Sequence, residues 1–130
     1  MPDYERSRDI DATPEAVWRV VSDPGRLTEW LPTTTASRPA GHDVVELVGE
    51  SHGHDYDLRS GFVTDDAARR LSWDSPRLDG YRGELTVAEH PGGSHVTVRL
   101  TIPLAPSDSD EQINRGLREA LERIGGLTEA

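Results

Sequence analysis

The sequence contains no cysteine among its 130 residues. This excludes disulfide bonds, thiolate nucleophiles and cysteine-ligated zinc. The absence is compatible with a reducing compartment, and we expect a cytoplasmic protein. The opening residues, MPDYERSRDID, lack the apolar segment of a secretory signal, and no run approaches the roughly 20 apolar residues that span a bilayer. We therefore expect no stable membrane association.

Lysine is also absent, so all 14 basic residues are arginines, against 24 acidic residues and a formal net charge of −10. A surface with this charge repels phosphate groups over a Debye length of about 10 Å. Nucleic acid is therefore not an expected partner.

Aromatic residues are scarce, at 5% of the chain, and hydrophobic residues make up only 34%. The few large apolar side chains must therefore be concentrated where a core or a cavity lies. A chain of this length suits one core, which would bury roughly two-thirds of the unfolded surface. We expect residues 1–130 to form a single domain.

The segment TPEAVWRVVSDPGRLTEWLP, residues 13–32, contains two helix starts. Thr13 is a suitable N-cap with Pro14 at the first helical position, and Asp23 with Pro24 repeats the arrangement. The segment therefore predicts two short helices, which follow a first strand at residues 4–10.

Residues 33–102 alternate apolar and polar positions, with turn sequences at AGHD, SHGHD, TDDAA, SPRLDG and HPGGS. This pattern predicts six strands joined as consecutive antiparallel hairpins. Charged residues such as Arg70, Glu84 and Arg99 alternate with the apolar ones. One face of the sheet should therefore be apolar and the other charged.

A last helix is predicted after the loop PLAPSDS. Ser109 and Gln112 form a capping box, and Gly125 with Gly126 should end the helix. Its apolar positions recur at helical spacing: Ile113, Leu117, Ala120, Leu121 and Ile124. This face should pack on the apolar face of the sheet.

The stretch IDATPEAVWRVVSDPGRLTEWLP resembles the N-terminal signature of the helix-grip (SRPBCC, START-like) superfamily, and RRLSWDS supports the likeness. That superfamily includes START lipid-transfer domains, the birch-pollen allergen family and bacterial polyketide cyclase/dehydrase-like proteins. The resemblance implies an α+β helix-grip fold of order β-α-α-β6-α, in which a seven-stranded curved antiparallel sheet wraps around the long C-terminal helix. The two short helices would close one end. Trp18 and Trp30 would belong to that closure, or would contact a ligand.

The resemblance also implies a cavity for apolar or aromatic molecules between the sheet and the last helix. The alternation along the strands and the helical spacing predict the residues that line this cavity: Tyr56, Leu58, Ser60, Phe62, Trp73, Tyr81, Leu85, Val98, Leu117 and Leu121. The alternative is a filled core. Small residues such as Gly83 and Ser60 on the inner face would suit either a void or a collapsed interior.

The segment SHGHD, residues 51–55, places two histidines near an aspartate. These groups can bind zinc or transfer protons, but a stable metal site needs three or four converging ligands. The same residues suit an exposed turn, which we favour. We expect no metal and no cofactor.

The sequence thus favours binding of a small hydrophobic or polycyclic molecule, by a monomer or homodimer. One alternative is a polyketide cyclase/dehydratase-like enzyme with Tyr56, Tyr81 or a nearby histidine as proton donor. However, no catalytic motif can be carried over, so the catalytic residues stay unassigned. Another alternative is a protein-interaction module, because relatives that activate Hsp90 share a region similar to DPGRLTEW.

Overall fold

The computed structural model describes residues 3–31, 34–41, 43–51, 54–74, 82–101 and 110–129. Within these residues seven strands form one sheet. They are β1 (Asp3–Ile10), β2 (Thr34–Gly41), β3 (Val44–Ser51), β4 (His54–Asp65), β5 (Arg70–Asp74), β6 (Arg82–His90) and β7 (Gly93–Thr101). Two α-helices, α1 (Pro14–Val21) and α2 (Asp110–Thr128), and a 3-10 helix (Pro24–Glu29) complete the described elements.

The strands from β2 to β7 pair consecutively and antiparallel, and β1 joins the far side of β7. The spatial order is therefore β1-β7-β6-β5-β4-β3-β2, an open curved sheet with β1 and β2 at its edges. The predicted α+β helix-grip fold is confirmed. The alternation of apolar and polar residues predicted the sheet because each central strand buries one face and presents charged residues on the other.

Helix α1 begins as predicted, because the Thr13 side chain accepts a hydrogen bond from the Ala16 N–H at 3.2 Å. Its buried valines, including Val17 and Val21, face the core. The second predicted α-helix is instead a six-residue 3-10 helix, in which the Arg26 N–H bonds to the carbonyl of Asp23, three residues earlier. A segment this short often adopts 3-10 geometry because it is too brief to build an α-helical ladder.

Helix α2 continues to Thr128, so the prediction that it ends at Gly125 and Gly126 is wrong. Contacts beyond the glycines hold the last turn. The Glu129 carboxylate accepts the Asp11 N–H at 3.0 Å, and the Glu129 N–H donates to the Gly125 carbonyl at 2.8 Å. Each helical glycine costs about 1 kcal/mol relative to alanine, and the bond from Asp11, directly after β1, stabilises the turn that follows the glycines.

The core lies between the inner sheet face, α1 and α2. Its most deeply buried side chains include Leu71, Leu85, Val96 and Ile124, each with no exposed surface. In the described part of the chain, neither helix has the length and apolar character needed to cross a membrane.

Candidate functional site

A row of paired residues crosses five strands on the inner sheet face. Tyr4 pairs with Leu100, Leu100 with Gly83, Gly83 with Trp73, and Trp73 with Phe62. Cross-strand partners lie on the same face of a sheet. We call this set the Trp73 row. Apart from the glycine it is entirely aromatic or aliphatic.

The indole of Trp73 lies directly over Gly83. A methyl group built on Gly83 would lie 2.1 Å from Cε2 and 2.4 Å from Nε1 of this indole. Only a residue without a side chain fits beneath the ring. From the sequence, the space above Gly83 could have been either a void or part of a collapsed core. In the structure the Trp73 indole occupies it.

Burial changes along the inner face. The next row, which contains Val98, Leu85 and Leu71, has at most 2% of any of these side chains exposed. In the Trp73 row, by contrast, Trp73 and Leu100 are only partly buried. Tyr4 and Phe62 of the same row are only 8% and 7% exposed. The inner face is therefore closed toward the far end of β1, and in the Trp73 row only Trp73 and Leu100 keep part of their surface accessible.

Helix α2 lies along β1 with its N-terminal half toward the Trp73 row. The Nε of Arg6, in the closed neighbouring row, donates to the Asn114 side chain at 3.2 Å, whereas Arg8 lies beside Gly125. The partly buried Ile113 therefore belongs to the accessible end. The close backbone approaches of α2 are to β1, α1 and the 3-10 helix, which places the helix over one side of the sheet.

Six of the ten predicted lining residues have described side chains; five belong to the core cluster, and the sixth, Trp73, packs against it. Phe62 and Trp73 lie in the Trp73 row, whereas Leu85 and Val98 lie in the closed row next to it. The other two are Leu117 and Leu121 of α2, which are 6% and 3% exposed.

The remaining four predicted residues lack a described side chain. Tyr81 lies outside the described residues, and Tyr56, Leu58 and Ser60 are described only as backbone positions of β4. Leu58 pairs with Leu47 and Ser60 with Val45. The ligand-binding assignment of the ten residues stays a prediction.

Two further polar side chains lie at the β2 side of the inner face. Ligand contact by Trp30 was the alternative to end closure, whereas Ser37 was not predicted as a site residue. Trp30 is 2% exposed, and Ser37 pairs with Leu47, which is partly buried against the core. Within the described residues, Trp30 Nε1 and Ser37 Oγ are buried without a hydrogen-bond partner. The sequence TTTASRPA gave no signal for Ser37 because its apolar alternation is weak.

Trp18 differs from Trp30 in this respect. It is partly buried, and its Nε1 donates to the Asp66 carboxylate at 2.9 Å. Nearby, Arg69 forms a 2.7 Å ion pair with Glu15. These two contacts join α1 to the turn between β4 and β5, so Trp18 has a structural partner.

The outer sheet face is charged, as predicted. Arg99 pairs with Glu5 at 3.0 Å and Arg70 with Glu84 at 3.7 Å. A hollow of 340 Å³ is lined in part by the outer-face residues Arg99, Glu84 and Arg82, and it also reaches Trp73 and Gly83. Its mixed charges make it a poor site for an apolar ligand.

A cluster at the outer end of β1 joins Asp9 to two histidines. The carboxylate lies 2.6 Å from Nδ1 of His95 and 3.4 Å from Nε2 of His90. The hydrogen bond from His95 lowers the pKa of Asp9. The three side chains are 42–57% exposed, and thus form a surface cluster.

Among the described residues, no group of three histidine or acidic side chains is arranged to hold a metal ion. His52 of the SHGHD segment lies outside those residues, and His54 is described only as the first residue of β4. The interpretation of this segment as an exposed turn stays a prediction.

Comparison with known proteins gives a family and a set of folds. The family model for polyketide cyclase/dehydrase and lipid transport proteins matches residues 1–126. Among curated protein sequences, none matches the chain.

Solved structures with the same fold include a START superfamily protein from Mycobacterium smegmatis, with a TM-score of 0.79 and 12% identity over 97% of this chain and 96% of that one. The Zhui aromatase/cyclase from Streptomyces sp. R1128 has a TM-score of 0.72 and 18% identity, covering 96% of this chain and 92% of its own. The di-domain aromatase/cyclase BexL from the BE-7585A biosynthetic pathway has a TM-score of 0.78 and 19% identity over 97% of this chain. This chain spans only 46% of BexL. At these identities the likeness shows the fold alone.

Proposed function

The chain belongs to the polyketide cyclase/dehydrase and lipid transport family, and we propose that it binds a small hydrophobic or polycyclic molecule between the inner sheet face and α2. On this proposal residues 1–130 act as one domain. The molecule would rest on the Trp73 row and contact Leu117 of α2. No cofactor or metal is required for binding.

The observation that carries this proposal is that Trp73 keeps part of its surface accessible beside an otherwise closed core. Trp73 and Leu100 are partly exposed next to rows in which every aliphatic side chain is nearly fully buried. The indole that lies over Gly83 offers an apolar surface for stacking. Small-molecule sites commonly combine such walls with a few polar groups.

The test is binding of N-phenyl-1-naphthylamine, an apolar fluorescent probe without charge, which the net charge of −10 does not repel. Enhanced probe emission with energy transfer from tryptophan is expected. Trp73→Ala should weaken binding by about thirtyfold or more, because a well-packed aromatic anchor contributes roughly 2 kcal/mol or more. Binding should be compared at a temperature where circular dichroism shows both proteins folded.

Trp18→Ala is the matched control. Its indole is bonded to Asp66 rather than placed in the Trp73 row, so its loss should lower stability and leave probe affinity unchanged. Equal loss of affinity in the two variants would show that the probe does not bind specifically at the Trp73 row. Absence of probe binding, together with capture of a stable protein partner, would favour the interaction-module alternative.

The second candidate function is a polyketide cyclase or dehydratase, which the family description and the folds of Zhui and BexL support. The proposed proton donors are Tyr56, Tyr81 or a nearby histidine. Turnover of a poly-β-ketone substrate, lost in Tyr56→Phe or Tyr81→Phe, would establish this candidate over simple binding. The cytoplasmic location and the monomeric or homodimeric state stay predictions.

A further inference from the structure

We propose that Trp30 Nε1 and Ser37 Oγ form a polar subsite that binds the carbonyl oxygen of a cyclic, otherwise apolar ligand. This inference rests on the proposed ligand-binding function and specifies the class of ligand. Its basis is a pair of buried polar atoms, at the same flank of the inner face, that lack partners in the described part of the chain.

Trp30 directly follows the 3-10 helix and has only 2% of its surface exposed. Its backbone N–H bonds to the Leu27 carbonyl at 3.3 Å, but its indole N–H has no acceptor among the described residues. A buried donor without an acceptor is costly, and buried polar groups in native proteins are almost always paired. The tryptophan therefore requires an acceptor that is absent from the described protein groups.

Ser37 supplies the second atom. It lies in β2, against which the 3-10 helix packs, and its partner Leu47 belongs to the margin of the core. Because cross-strand partners share a face, the Ser37 hydroxyl lies on the inner side of the sheet. The two unpaired atoms thus belong to adjoining elements at the β2 flank of the inner face.

The chemistry of these groups selects the ligand. An indole N–H only donates, and a hydroxyl both donates and accepts, so a carbonyl oxygen with two lone pairs satisfies both donors. A carboxylate is less suitable, because the described core cluster that contains Trp30 is hydrophobic and a buried anion without a paired cation is costly. The Arg123 guanidinium, which donates to the Leu31 carbonyl at 3.3 Å, belongs to an exposed residue. The fitting ligand is an apolar ring system with a ketone or quinone oxygen.

The experiment compares 1-tetralone with tetralin, which share a bicyclic skeleton and differ by the carbonyl oxygen. The dissociation constant of each is measured by isothermal titration calorimetry on the wild-type protein. We expect the ketone to bind about two- to tenfold more tightly, the range expected for a net neutral hydrogen bond. Trp30→Phe and Ser37→Ala should each reduce that ratio toward one, with little change in tetralin affinity.

Trp18→Phe is the control, because that indole already has Asp66 as its acceptor; it should preserve the wild-type ratio. Equal binding of both compounds to the wild type would overturn the subsite and leave the proposed function standing. Failure of both compounds to bind would overturn the subsite and the proposed function together. An unchanged ratio in both Trp30→Phe and Ser37→Ala would also refute the assignment.

Nuclear magnetic resonance of the wild type keeps the inference testable if Trp30→Phe does not fold. Once assigned, the Trp30 indole proton should move downfield on addition of 1-tetralone and move less with tetralin. The Trp18 indole proton should respond to neither. Equal responses of Trp30 to the two compounds would contradict a hydrogen bond to the ketone.

Discussion

Replacing Gly83 with alanine tests the central contact of the site. The added methyl carbon would lie 2.1, 2.2 and 2.4 Å from three atoms of the Trp73 indole. Separations this short do not persist, so either the strand or the indole must move. Overpacking of a core typically costs about 1–3 kcal/mol. Replacing a glycine in a strand with alanine would by itself stabilise the protein by about 0.5–1 kcal/mol. The measured net loss of stability is therefore smaller than the cost of the steric clash.

The assay is urea denaturation of Gly83→Ala with the probe affinity measured in parallel. We expect a net loss of about 1–2 kcal/mol in the free energy of unfolding, a shifted tryptophan emission and weaker probe binding. Gly116→Ala is the matched control, because a methyl group there meets no atom within 4 Å. As a glycine inside α2, its replacement should stabilise by about 0.5–1 kcal/mol.

A double-mutant cycle assigns the cost to Trp73. In a Trp73→Leu background, Gly83→Ala should lose most of its penalty, because the colliding indole is gone. An unchanged penalty in that background would mean that the strand rather than the indole resists the methyl group. A neutral Gly83→Ala in the wild-type chain, with unaltered emission, would refute the proposed geometry altogether.

The remaining predictions concern the helix and the surface cluster. Leu117→Ala should lower the free energy of unfolding by about 2–5 kcal/mol, whereas Leu127→Ala, at a side chain 38% exposed, should cost about 1 kcal/mol or less; equal costs in denaturation would contradict the burial of α2. The lowered pKa of Asp9 means that its ionised form stabilises the folded state above its unfolded pKa, and that this contribution disappears as the pH falls through its folded pKa. Asp9→Asn should therefore reduce the melting temperature at about pH 6, above the ordinary range of carboxyl pKa values, and the difference from the wild type should shrink as the pH falls through the lowered pKa of Asp9; a pH-independent difference would argue against this linkage.

The fold could be predicted because its signals are local and repeated. Alternation around Leu71, Leu85 and Val96 identified strands whose inner side chains are fully buried. The N-cap at Thr13 identified α1. The 3-10 geometry after Asp23 and the extension of α2 beyond Gly125 were missed, because both depend on segment length and tertiary contacts rather than on residue type.

The candidate site was harder to predict because it depends on the register between strands. Nothing near Gly83 in the chain indicates that Trp73 lies over it, since ten residues separate them and the pairing of β5 with β6 creates the contact. Likewise, Ser37 becomes notable only when pairing with Leu47 turns it toward the inner face. The alternation along the strand placed Phe62 on the inner face correctly, but it did not predict which inner-face side chains would be accessible.

The inner face is fully buried at one end, which contributes to folding stability, and partly exposed at the other end, where we propose that the ligand binds. Val96 and Ile124, with no exposed surface, stabilise the closed end, where α1 and α2 meet the sheet. Trp73, one row beyond the closed rows, lies over Gly83 and is only partly buried. A fully packed row at this level would add apolar burial and leave no wall for a ligand. The chain therefore leaves apolar surface of Trp73 and Leu100 incompletely buried at one end of its core, while the rows at the other end are closed.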